Sequence, residues 1–169
     1  MTGTLEVVDR GRVLAFSFDD LLRYHGPHSP GGVAHAFKVL ERALPLLGGG
    51  APPERRELRI ETAFGGPGAR DGFELVTRAV TGGRYLVDAG LARPERGRAL
   101  ERFVFRLSHR DATVTLRCRE GYVSEAFIDL ARREGRTAAE EARLDAMKLE
   151  MAERVMASPA AAVYEVADG

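Results

Sequence analysis

Cysteine is almost missing from this chain: Cys118 is the single one in 169 residues. No disulfide can form within the chain, and no all-thiolate metal site can be built. Lysine is scarce as well, with Lys38 and Lys148 standing among 25 cationic residues. The arginine excess reads as genomic composition rather than a binding device. Net charge is absent too, 25 acids against 25 bases, so nothing global favours nucleic acid or an anionic membrane. No apolar run approaches the roughly 18 residues of a membrane span, and no charged-then-apolar leader opens the chain. A cytoplasmic protein with no membrane segment is the expectation. What remains, 44% hydrophobic and 30% charged residues, suits one globular domain over residues 1–169. A chain of this length buries roughly two thirds of its unfolded surface.

Periodicity supplies the elements. Leu5–Val8 and Arg12–Phe16 read as strands around the turn Asp9-Arg10-Gly11. Ser17 and Asp20 have capping-box spacing and open a short helix through Tyr24. Val33, Ala36, Phe37, Leu40, Ala43 and Leu44 share one helical face, with Ser29 suited to the N-cap and Pro30 to the first position. Gly48-Gly49-Gly50 and Pro52-Pro53 stop that helix. Glu57–Thr62 alternates as a strand, and a glycine-rich loop from Phe64 to Arg70 follows. Asp71 and Glu74 predict a second capping box and a helix through about Val80. Arg84–Ala89, Leu100–Leu107 and Ala112–Cys118 predict strands, the last two joined by the turn Ser108-His109-Arg110-Asp111. Tyr122–Glu134 and a Thr137-capped segment bearing Leu144, Met147, Met151 and Val155 predict two helices, with Ala161–Val166 a closing strand. The order is too irregular for a doubly wound sheet. An α+β fold follows, a mixed sheet with helices packed on one face.

Polar residues with chemical potential concentrate between His25 and Gly32. Two histidines precede a helix start and two glycines, so free N–H groups and the positive end of the helix dipole would face the loop and suit an anion. That field also favours neutral imidazole, the form that binds metal or takes a proton. The plain alternative makes Ser29 a cap, the glycines turn formers and the histidines solvated. The Phe64–Asp71 loop has neither GK[ST] nor G-x-G-x-x-G, so its nucleotide signal is weak. Asp71 reads first as an N-cap, Arg70 as a fork for an anion, and Glu61 equally as surface charge or site carboxylate. His109 is expected solvated in its turn, His35 exposed off the apolar face, and Cys118 buried. Arg132, Arg133 and Arg136 read as a solvated face.

The stretch Asp20-Leu21-Leu22-Arg23-Tyr24-His25-Gly26-Pro27-His28-Ser29-Pro30-Gly31 resembles the signature of the E-subunit family of formylmethanofuran dehydrogenase, His-Gly-His-x-Cys-Pro-Gly after a short helix. His25, Gly26, Pro30 and Gly31 match in place. Pro27 stands where the second histidine would be, His28 comes one position late, and Ser29 replaces the cysteine. Asp71 and Thr77 fit later motifs whose cysteines are gone. The resemblance implies an α-β-α-β-β-β core, a homodimer, and a site around the His-Gly segment that in relatives can hold a metal such as zinc. Members accompany a molybdenum or tungsten enzyme of one-carbon redox metabolism.

Two functions are therefore expected. One is a small-ligand or metal-binding domain, with His25 and His28 as ligands for zinc or another divalent transition metal. The other is a small acid–base enzyme acting on an anionic small molecule. There His25 or His28 would be the base, Asp71 or Glu61 the orienting carboxylate, and Arg70 with Ser29, Gly31 and Gly32 the anion clamp.

Overall fold

The computed structural model describes residues 3–167. It opens on an antiparallel hairpin, β1 (Leu5–Asp9) and β2 (Arg12–Phe16). The turn holds Arg10 at φ 51° and Gly11 at φ 78°, the double left-handed pair that matches strand twist in a two-residue turn. Ser17 closes its capping box with Asp20 and starts α1 (Phe18–His25). After α2 (Pro30–Gly48) come β3 (Leu58–Thr62), α3 (Pro67–Thr77), β4 (Tyr85–Val87), β5 (Val104–His109) and β6 (Ala112–Cys118). Two helices, α4 (Glu125–Arg132) and α5 (Ala138–Met156), precede a single turn, α6 (Ala160–Val163), and the last strand, β7 (Tyr164–Ala167). No described helix is long and apolar enough to cross a membrane.

The expected α+β class forms. Five strands make a mixed sheet in the order β4-β3-β5-β6-β7, with β3 and β4 parallel and the other pairs antiparallel. Period-two alternation sends Leu58, Ile60, Phe105, Leu107, Leu116 and Tyr164 inward, all fully buried. Arg59 and Arg117 face solvent, and half-buried Arg106 pairs with Glu61 across the strands at 2.8 Å. Arg117 meets its cross-strand partner Glu165 at the same distance. These surface pairs contribute little, up to about 1 kcal/mol each.

Helix α2 lies between the inner sheet face and helices α3 and α5, and its first half is buried on every side: Val33 through Leu40 contains no exposed residue. Small residues let the helices close on it. A Cβ added at Gly72 of α3 would fall 2.9 Å from that of Ala36, and one at Gly31 would fall 3.1 Å from Met151 Sδ of α5.

This burial corrects the expectation for His35, which is completely buried rather than exposed. Its Nδ1 lies 2.8 Å from the Tyr164 hydroxyl, and desolvation pushes it down to about 3. Nε2 has no hydrogen-bond partner among the described residues, and the nearby Tyr122 backbone only partly offsets the desolvation. His109 is likewise buried, because β5 runs on to it and the turn tightens to Arg110-Asp111. It accepts the Glu54 N–H at 3.2 Å through Nε2. Cys118 is buried as expected, and desolvation pushes its thiol up to about 12. The thiol donates to the Arg119 carbonyl at 3.4 Å, beside the Tyr164 hydroxyl.

Element boundaries shift where a turn outcompetes a periodic pattern. Short 3-10 turns at Ala89–Leu91 and Pro94–Arg96 occupy the approach to β5, which starts at Val104. Ser124 caps α4, so that helix begins at Glu125 rather than Tyr122. The expected strand Ala161–Val166 divides into α6 and β7.

The correction that matters for function is α3. It starts at Pro67 behind Gly66, not at Asp71, because proline pre-sets the first helical φ. Its far end is heavily capped: Arg55 donates to the carbonyls of Leu75 (2.6 Å) and Val76 (3.0 Å), and Arg84 to those of Thr77 (3.2 Å) and Arg78 (3.0 Å). The negative end of the helix is thus neutralised by guanidinium groups, while its positive end is left free.

Candidate functional site

The starts of α2 and α3 meet. An ideal Cβ on Gly68 would fall 2.4 Å from the Ser29 carbonyl oxygen and 3.1 Å from Val33 N, and one on Gly32 would fall 3.0 Å from Ala69 N. Only glycine permits backbone to approach backbone this closely. Neither helix carries a side-chain cap, and each has proline in its first turn. The first carbonyls are taken inside the helices, Ser29 O by Val33 N and Gly66 O by Arg70 N. Among the described residues no acceptor meets the N–H groups of Gly31, Gly32, Gly68 and Ala69. Two sets of helix-start amides therefore lie side by side.

Beside them is a cavity of about 490 Å³. Its backbone walls are Ser29, Gly31 and Gly32 from one helix start and Gly65 to Gly68 from the other. Phe64, Phe103, Phe127, Ile128 and Leu144 give apolar surface, with Phe64 and Phe103 stacked at 4.4 Å between centroids. Five cations line it, Arg98, Arg102, Arg132, Arg136 and Lys148, against one carboxylate, Glu141.

Three of these cations are already paired. Arg98 binds Asp129 (3.2 Å) and Glu125 (3.4 Å), Arg132 lies 3.6 Å from Glu101, and Arg136 lies 2.9 Å from Glu141. Arg102 has no hydrogen bond or ion pair among the described residues, and Lys148 donates only to the His28 carbonyl, at 3.2 Å. The site thus offers two uncompensated cations and two helix N-termini, the latter worth roughly half a charge each. Together they present about three positive charges to a guest.

The expected residues divide sharply. His25 and Asp71 do come together: Nδ1–H donates to Asp71 Oδ2 at 2.8 Å, and Nε2 accepts the Ser29 N–H at 3.1 Å. With Nε2 an acceptor, the proton sits on Nδ1 and both ring nitrogens are engaged. The His25 side chain is only 5% exposed. Asp71, in the second turn of α3 rather than at its cap, orients His25, and His25 fastens the residue ahead of α2. The pair is a clasp joining α1, α2 and α3, and neither residue lines the cavity. Glu61 is held by Arg106 on the outer sheet face. Arg70 is exposed on α3, away from the cavity lining, and weakly offsets the burial that pushes the Tyr85 phenol up to about 12. His28, Ser29, Gly31 and Gly32 do line the cavity, and the exposed His28 side chain makes no hydrogen bond among the described residues.

These donors do not fit a divalent metal. His25 has no free nitrogen, and no group of three or more His, Cys, Asp or Glu side chains that could hold an ion occurs among the described residues. Two imidazoles alone would leave half of a tetrahedral shell unfilled.

The cationic wall was missed because its members come from three separate segments. Its traces in the sequence are Arg98 and Arg102 at i, i+4, and Arg132 with Arg136 around the α4–α5 turn. A further hollow of about 360 Å³, between β1 and the second half of α2, is lined mainly by Leu5, Leu40, Leu44 and prolines. It has no comparable set of convergent polar groups.

Compared with known proteins, the chain matches no protein-family model and no curated protein.

Proposed function

We propose that this chain is a small-molecule-binding domain whose cavity takes an anion carrying two or three negative charges. The observation that carries the reading is the convergence of two uncapped helix starts beside two uncompensated cations. The amides of Gly31, Gly32 and Gly68, which line the cavity, would bind anionic oxygens, as helix N-termini do for phosphate. Arg102 adds a planar two-donor fork and Lys148 a mobile point charge. Of the segment that resembles the formylmethanofuran dehydrogenase family, the reading keeps His28 to Gly32 in the site and leaves out His25 and the metal. The acid–base alternative rests on His28, since His25 has both nitrogens occupied.

Calorimetry at low ionic strength tests the reading. Pyrophosphate should bind the wild type, and Arg102→Ala and Lys148→Ala should each weaken it about tenfold, the ordinary worth of a charged hydrogen bond. Binding should also weaken as salt is raised. Absence of binding heat with pyrophosphate and with inorganic phosphate would overturn the proposal.

A further inference from the structure

Resting on the anion reading, we infer that the ligand is a soluble organic phosphate, a phosphate group bearing an apolar body, rather than bare phosphate. The cavity, about 490 Å³, lies in the range of sites for whole organic ligands, roughly 300–1,000 Å³, and far exceeds what one phosphate fills. Its chemistry is divided between elements. The helix starts of α2 and α3 supply amides, whereas α4 presents Phe127, Ile128 and Ala131, and Leu144 stands one turn before Lys148 on α5. Phe64 and Phe127 are only half-buried, so part of each ring is open to a guest. An inorganic anion would leave this apolar wall in contact with water, and an alkyl or aryl body would cover it. The phosphate could also belong to a lipid headgroup, but none of the large exposed hydrophobic side chains lines the cavity, so no apolar rim is offered to a bilayer.

The test is a calorimetric series with inorganic, methyl, n-butyl and n-hexyl phosphate on the intact chain. Affinity should rise along the alkyl series by up to about fourfold per methylene buried. Phe127→Ala should flatten that rise, weakening n-hexyl phosphate far more than inorganic phosphate. Ala131→Gln, a substitution at an exposed position, should do the same and keeps the test open if Phe127→Ala unfolds. Hexyl phosphate binding no tighter than methyl phosphate, with inorganic phosphate still bound, overturns this inference and leaves the anion reading standing. Failure of every phosphate to bind removes both. Cosedimentation with phosphatidylcholine vesicles doped with phosphatidic acid, without any gain along the alkyl series, would assign the phosphate to a lipid and overturn the soluble class.

Discussion

Replacing Gly68 with alanine would drive apart the two helix starts on which the site depends. The new methyl would lie 2.4 Å from the Ser29 carbonyl oxygen and 3.1 Å from Ser29 Cβ. Comfortable heavy-atom contacts begin near 3.5 Å, so the starts of α2 and α3 must separate by about 1 Å. Both partners are backbone or backbone-proximal, and neither can swing aside. Overpacking of this kind costs about 1–3 kcal/mol. Alanine recovers up to about 1 kcal/mol through helix propensity, so the net loss should be about 0.5–2 kcal/mol. In a domain of this size that lowers Tm by about 1–8 °C. Gly65→Ala is the control, since its methyl meets only Val87 Cγ1, at 4.0 Å, and stability should stay within about 0.5 kcal/mol. Urea unfolding reads the stability, and calorimetry with pyrophosphate reads the site, where Gly68→Ala should weaken binding as the amides part. A Gly68→Ala protein as stable as wild type, with unchanged pyrophosphate affinity, would refute the reasoning.

Removing the clasp should loosen the same region: His25→Ala leaves the Ser29 N–H and the Asp71 carboxylate without their partner and should cost about 2–3 kcal/mol in urea unfolding, whereas Asp71→Asn, which keeps an acceptor, should cost less. An equal loss in both variants would contradict the assigned tautomer. Stability should fall below pH 6.5 because His35, pushed down to about 3 by burial, stays neutral in the fold while the unfolded chain takes up a proton. Its contribution is fully present above pH 6.5 and is lost at up to about 1.4 kcal/mol per pH unit on acidification, so wild type should lose more than His35→Gln between pH 6.5 and 5; parallel profiles would remove His35 as the cause. Cys118, buried and with its thiol pushed up to about 12, should resist a thiol-specific disulfide reagent until the chain is unfolded. Rapid labelling of the native protein would contradict its burial.

Much of the architecture was legible because local signals agreed with one another. Ser17 with Asp20 and Thr137 with Glu140 are true capping boxes, and the alternation in Ala112–Cys118 gives β6 its bounds. Asp71 with Glu74 shows the limit: the same spacing occurs inside a helix that a glycine and a proline had already begun four residues earlier. His35 was misread because periodicity assumes one wet face, and the Val33–Leu40 stretch of α2 has none. For the site, the segment from His28 to Gly32 was visible as a helix start, whereas the glycine loop read only as a connection to a helix placed at Asp71, and its own helix start at Pro67 was not seen. The clasp was visible only as its parts, since His25 and Asp71 are 46 positions apart and meet through the packing of α1 on α3. Arg102 and Lys148 could not be singled out, because what distinguishes them is that neither forms an ion pair among the described residues, a property of the folded surface alone.

Titration of isotopically labelled protein with pyrophosphate, followed by amide nuclear magnetic resonance, tests the central claim most directly. The amide resonances of Gly31, Gly32 and Gly68 should move together and saturate at one ligand per chain, and in Arg102→Ala they should require a higher ligand concentration. If these three signals stay still while others shift, or if nothing saturates, the paired helix starts are not an anion site.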